Sequence, residues 1–97
     1  MKVFYLDKVA EFIEKLTYTD SARLERTRKF FEEYGFKIGP KYVKKIADGI
    51  WELRAGNIRL FLCVRGESAY GVHIIYKKSQ KLPKKDIELA EKRCKQL

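Results

Sequence analysis

Residues 49–78 read Gly49-Ile-Trp-Glu-Leu-Arg-Ala-Gly-Asn-Ile-Arg-Leu-Phe-Leu-Cys-Val-Arg-Gly-Glu-Ser-Ala-Tyr-Gly-Val-His-Ile-Ile-Tyr-Lys-Lys78, and this stretch decides the fold. Three apolar runs, Ile50–Arg54, Ile58–Val64 and Tyr70–Tyr76, are separated by Ala55-Gly56-Asn57 and Arg65-Gly66-Glu67-Ser68. Short β-branched and aromatic runs between glycine-bearing breaks predict an antiparallel meander. Successive side chains of a strand point to opposite faces. Ile58, Leu60, Leu62 and Val64 therefore share one face with Trp51, Leu53, Val72, Ile74 and Tyr76, and that face needs covering. The other face collects Glu52, Arg54, Arg59, His73 and Lys77. Charge in mid-sheet is costly unless water or an anionic ligand meets it, so this polar cluster is the candidate site.

The flanking segments predict how the apolar face is covered. Val3–Leu6 is a short apolar run that joins the meander as a strand. Val9, Phe12, Ile13 and Leu16 recur at helical spacing. A second helix runs from about Ser21 to Tyr34, capped by Thr19 or Asp20 and stopped by Gly35. Two helices so closely joined form a hairpin that can lie on the sheet. Pro40 suits a first helical position, which predicts one or two helical turns over Lys41–Ala47, ended by Asp48-Gly49. Pro83 opens a last helix, whose stripe is Ile87, Ala90, Cys94 and Leu97. The order is β-α-α-(α)-β-β-β-α, a single α+β domain spanning residues 1–97.

The chain has 97 residues, of which 22 are Lys or Arg and 13 are Asp or Glu, giving a formal net charge of +9. Such an excess in a small domain predicts a polyanionic or acidic partner; a solvated lysine-rich surface is the plain alternative. No apolar run approaches the ~20 residues of a membrane span, and the N-terminal residues lack the pattern of a secretory signal. These features point to a cytoplasmic protein with no membrane association. Cys63 and Cys94 have no Cys or His at ligand spacing, which excludes the common metal motifs. In a reducing compartment both are expected to be buried, inert thiols rather than a disulfide.

Four pieces, in order, carry a resemblance: Lys44-Lys-Ile-Ala-Asp-Gly-Ile-Trp-Glu-Leu-Arg54, Ile58-Arg-Leu-Phe61, His73-Ile-Ile-Tyr-Lys-Lys78, and the terminal segment from Pro83 through Ile87 to Arg93. Together they resemble the RelE/HigB toxin superfamily, and within it the HigB-like, phage-Gp49-like branch. The resemblance implies a small RelE-like fold: a twisted, mainly antiparallel sheet, an N-terminal helical hairpin on one face and a C-terminal helix. It also implies the toxin of a type II toxin–antitoxin system, an endoribonuclease that cuts mRNA on the ribosome. In that chemistry the RNA's own 2′-OH attacks the phosphate, and neither a metal nor another cofactor is required. The implied partners are a cognate antitoxin, the ribosome and mRNA. Two other readings keep the fold: a ParE-like toxin that binds DNA gyrase, and an RNA-binding module whose catalysis has decayed.

Arg59 falls at the superfamily's strand arginine, where its planar fork can hold a phosphate bidentately. The alternative is an arginine snorkelling from a half-exposed strand. If Arg59 stands clear of the core, its loss should cost little stability. Arg54 can contact phosphate or pair with Glu52. His73 is the sole histidine, a residue type suited to proton transfer near neutral pH, although mid-strand histidines are often structural. Lys77 and Lys78 match the family's basic pair and can steady the leaving oxygen. Phe61 is the candidate for stacking an unpaired base. Lys81, Lys84 and Lys85 extend the basic surface toward ribosomal RNA, unless they simply solvate it. The chain departs from the family pattern twice: Glu52 stands where the lysine-based ribonucleases carry a basic strand, and no tyrosine follows the Lys77-Lys78 pair.

Overall fold

The computed structural model describes residues 1–79 and 81–97. Five strands form one sheet: β1 (Lys2–Tyr5), β2 (Val43–Ala47), β3 (Ile50–Ala55), β4 (Ile58–Arg65) and β5 (Ser68–Tyr76). Their spatial order is β1-β5-β4-β3-β2. Strands β2 to β5 are antiparallel neighbours, and β1 pairs in parallel with β5. Helices α1 (Asp7–Glu14) and α2 (Tyr18–Tyr34) precede β2, and α3 (Lys84–Lys95) ends the chain. The expected α+β architecture is thus present, with the meander at its centre.

The segment before the meander differs from expectation. Lys41–Ala47 does not form helical turns; Val43–Ala47 is strand β2, and Ala47 pairs with Ile50 across Asp48-Gly49. An Asp-Gly pair between two apolar-bearing runs is a strong hairpin signal, and it outweighs the helix-start tendency of Pro40. Gly49 has φ +73°, the left-handed conformation that the turn demands and that glycine adopts without penalty.

Each face of the sheet has its own core. On one face, α1 and α2 cover Leu53, Leu60, Leu62 and Ile74 with Val9, Leu24 and Phe31. Phe31 is fully buried, a burial worth roughly 1.5–3 kcal/mol. Thr17 caps α2 by accepting a hydrogen bond from the Asp20 backbone N–H at 3.2 Å, so the helix starts earlier than expected. Glu32 of α2 accepts from Val3 N–H at 2.9 Å and fastens β1. Gly71 lets this layer close: a Cβ there would lie 2.8 Å from the Tyr5 ring.

On the other face, α3 covers Ile50, Phe61, Cys63 and Val72 with Ala90, Ile87 and Cys94. The face expected to be polar is therefore apolar under α3 and charged only beyond it. A bulge contributes: Phe61 pairs with His73 but Leu62 with Gly71, which leaves Val72 unpaired. Simple alternation puts Val72 with Ile74, whereas the bulge turns it toward α3. Cys63 and Cys94 form a disulfide with Cα atoms 5.6 Å apart, joining β4 to α3. This corrects the expectation of two free thiols, because the helix stripe that carries Cys94 packs directly over Cys63. Arg65 adds hydrogen bonds to the carbonyls of Cys94 and Leu97, at 2.7 and 3.2 Å.

Candidate functional site

The charged end of the sheet is built from the β3–β4 hairpin. Arg54 and Arg59 are direct cross-strand partners, two residue pairs from Glu52 and Phe61 in the same ladder. Like charges directly opposite each other on a sheet repel, so the pair needs a counter-charge. Glu52 supplies it from beneath: its side chain is 1% exposed, against 31% for Arg54 and 12% for Arg59. Arg54 Nε donates to Glu52 Oε1 at 2.9 Å. Arg59 Nε faces Glu52 Oε2 at 3.3 Å, a charge contact outside hydrogen-bond alignment.

One Arg59 terminal nitrogen donates to the carbonyls of Gly56 and Ile58, at 2.6 and 3.0 Å. The guanidinium is thereby fixed against the Gly56-Asn57 turn. Burial pushes its pKa down, Glu52 pulls it back up, and Arg54 lowers it again. A guanidinium nonetheless stays charged at any physiological pH.

Two adjoining depressions open on this cluster and share Lys77. One, of about 480 Å³, is lined by Asn57, Arg59, Lys77, Lys78 and Ser79. The other, of about 400 Å³, has Glu52 and Arg54 on its floor, with Lys44, Lys77, Lys81 and the start of α3 around it. Seven basic side chains and one carboxylate line the two together. The Lys77 backbone N–H donates to the Asn57 carbonyl at 2.8 Å, which places the end of β5 beside the β3–β4 turn.

Arg54, Arg59, Lys77, Lys78 and Lys81 are thus brought together as expected from the sequence. Lys44 and Lys45 belong to the same surface, which a helical reading of their segment conceals and the Asp48-Gly49 turn signal points to. Lys84 and Lys85 are exposed on the first turn of α3, Lys84 lying 4.0 Å from Glu88. Neither lines either depression.

Two expected site residues lie elsewhere. Phe61 is fully buried under α3, so it is core and not a free stacking platform. His73 contacts Phe61 edge-on, and its Nε2 lies 2.8 Å from Asp86 Oδ1. Its Nδ1 lies 3.4 Å from Arg93, which itself donates to the Val72 carbonyl at 2.8 Å. The ring lines a small hollow with Lys8, Phe12 and Arg93 instead of the basic depressions. The ring is engaged by Asp86 and Arg93 of α3, away from the basic depressions.

The arrangement suits a phosphodiester. Charge-assisted donors converge where a phosphate can sit, and among the described lining residues the sole carboxylate is already engaged by two arginines. Among the described residues no cluster of His, Cys, Asp and Glu suited to a metal ion is present.

The profile of the phage-derived protein Gp49-like family matches residues 11–95. The chain belongs to this family. The Gp49-like proteins are a family of RelE/HigB-like toxins, which agrees with the resemblance carried by the Glu52-Leu-Arg54 and Arg59-Leu-Phe61 pieces. Comparison with curated proteins finds no significant match. The matched region contains every residue of the basic cluster, from Lys44 to Lys81. In this Gp49-like protein no described helix is long and apolar enough to cross a membrane.

Proposed function

We propose that this Gp49-like protein is the toxin of a type II toxin–antitoxin pair and cleaves mRNA on the ribosome. The observation that carries the reading is the Arg54–Arg59 pair, held over buried Glu52 at the junction of two basic depressions. A ribose 2′-OH releases its proton to solvent water as its oxygen bonds to the adjacent phosphorus, giving a pentacoordinate phosphorane; the P–O5′ bond then breaks to leave a 2′,3′-cyclic phosphate, the 5′-oxygen taking a proton from Lys77, which solvent restores. Extra negative charge develops on the non-bridging oxygens and on the departing oxygen. Preorganised donors aimed at that charge are commonly the largest catalytic contribution.

The roles follow from position. Arg59, fixed by Gly56 and Ile58, holds the scissile phosphate. Arg54 neutralises a second oxygen from the neighbouring strand. Lys77, between the two depressions, donates a proton to the leaving 5′-oxygen, with Lys78 on the flanking phosphate. Lys44 and Lys81 carry the RNA backbone away from the centre, while Lys84 and Lys85 meet ribosomal RNA. Phe61 and His73 have no place in this scheme. A cognate antitoxin, consistent with the family, covers the basic cluster with an acidic segment that folds on binding.

The test is translation in a purified system, with the RNA ends mapped. Ribosome-dependent cuts that leave a cyclic phosphate support the reading. Growth arrest with intact mRNA and inhibited gyrase would replace it with the ParE-like alternative.

A further inference from the structure

We infer that Glu52 is a positioning residue for the arginine pair, a role that rests on the proposed cleavage of RNA at this site. Glu52 sits in a basic groove, where a carboxylate opposes the binding of phosphate. Its geometry accounts for its presence. Each arginine turns its Nε toward a different oxygen of this single carboxylate, Arg54 to Oε1 and Arg59 to Oε2. Arg54 Nε donates a hydrogen bond to its oxygen, whereas Arg59 Nε makes a buried charge contact outside hydrogen-bond alignment; with Nε turned inward, the terminal nitrogens are left to project outward. Arg59 uses one terminal nitrogen on Gly56 and Ile58, and its other remains for a ligand. Neither terminal nitrogen of Arg54 has a partner among the described residues.

Burial makes the anchor firm. Glu52 is 1% exposed, so water does not compete for its oxygens. Its strand neighbours fix the backbone on both sides: Glu52 pairs with Lys44 on β2 and with Phe61 on β4. The cluster of two guanidiniums and one carboxylate still carries a net positive charge, so it attracts an anion while its own repulsion is relieved. A base role fits poorly, because both oxygens already face cations and the side chain is only 1% exposed at the floor of the groove.

Positioning makes a prediction that opposes simple charge counting. Glu52→Gln removes a negative charge from the groove, so affinity for RNA should hold or tighten. The forks, no longer anchored, should lose alignment, and misplacement of about 1 Å can cost ~10²-fold in rate. The expected result is a roughly 10- to 100-fold fall in single-turnover cleavage by the folded protein, at equal or tighter RNA binding and with an unchanged pH profile. Glu52→Asp keeps the charge but withdraws the carboxylate by one methylene, so it should lose rate as well; if Glu52→Gln fails to fold, Glu52→Asp carries the test. A physical readout accompanies the rates. The Nε–H signals of Arg54 and Arg59 in ¹⁵N-edited spectra should be protected from solvent exchange in the native protein and lose protection in the variants. Full cleavage by either folded variant, or unprotected Nε–H signals in the native protein, overturns the inference. If the native protein does not cleave RNA at all, the proposed function fails, and the Nε–H protection decides the positioning geometry by itself.

Discussion

Replacing Arg59 by alanine separates folding from chemistry. Sequence reasoning places Arg59 clear of the core and predicts little loss of stability; the structure revises that. Arg59 is one of two cations facing a buried carboxylate, at 3.3 Å from Glu52 Oε2. Its removal leaves that oxygen uncompensated while Arg54 still holds Oε1 at 2.9 Å. Losing one of two cations that face a buried carboxylate, with Arg54 left in place and its repulsion by Arg59 relieved, costs less than the ~3–5 kcal/mol of a wholly unpaired buried charge. The hydrogen bonds to Gly56 and Ile58 lie toward the surface, where water can replace Arg59. A cost of about 2 kcal/mol, below that range, follows from the burial of Glu52. With an unfolding entropy of ~2.1 cal/mol/K per residue, a domain of this size should melt ~10 °C lower.

Cleavage should fall further than stability. Removing one donor to a charge that develops in the transition state costs ~10²–10³-fold. Arg59→Lys should restore charge to the groove but only part of the rate, because an ammonium lacks the planar fork. Thermal melts and ribosome-dependent cleavage are measured on the same preparations, below the lowest melting temperature. An unchanged melt would refute the claim that Glu52 depends on Arg59. Unchanged cleavage would remove Arg59 from the site.

The cross-link, the basic surface and a half-buried tyrosine each give a further expected outcome. The disulfide between Cys63 and Cys94 spans a sequence separation of 31, for which loop-closure entropy gives about 3–4 kcal/mol; reduction, or Cys94→Ser, should lower the melting temperature by roughly 15–20 °C, and a melt indifferent to reductant would contradict the cross-link. Alanine at Lys81, Lys84 or Lys85 should weaken ribosome association and reduce the salt slope by roughly one for each phosphate no longer neutralised, without moving the cut positions. Burial pushes the Tyr5 pKa up to about 12, against a partial pull down from Arg28. Because the unfolded chain releases that proton first, near pH ~10, Tyr5 contributes stability that is lost as the pH rises from there toward about 12. Tyr5→Phe should make the alkaline denaturation curve shallower over that window, and an identical curve would contradict the assignment.

The meander is legible because its signals are local: Gly56 and Gly66 mark tight turns, and alternation gives the side of every β3 and β4 residue. Arg54, Arg59 and Lys77 are grouped on that basis. Alternation fails at a bulge, however, and nothing in Tyr70-Gly-Val-His-Ile74 announces that Val72 is the unpaired residue. The position of α3 is equally hidden, since its stripe does not say which face it covers. That ambiguity leaves Phe61 and His73 in the site when both lie under the helix. The same packing brings Cys94 over Cys63, a pairing between segments 31 residues apart in sequence. Strand β2 is a different kind of miss: Pro40 and Asp48-Gly49 give competing local signals, and the turn prevails. Along the sequence Glu52 is an intrusion into a basic strand; its service to both arginines depends on cross-strand geometry that no spacing along the chain reveals.

The most direct measurement is the chemistry of the RNA ends produced on ribosomes by the purified protein, compared with Arg54→Ala and Arg59→Ala variants that remain folded. The account predicts 2′,3′-cyclic phosphate and 5′-hydroxyl ends from the native protein, and a loss of both in step for each arginine variant. Cuts bearing 5′-phosphates, or cyclic-phosphate ends formed equally well by both variants, would contradict it.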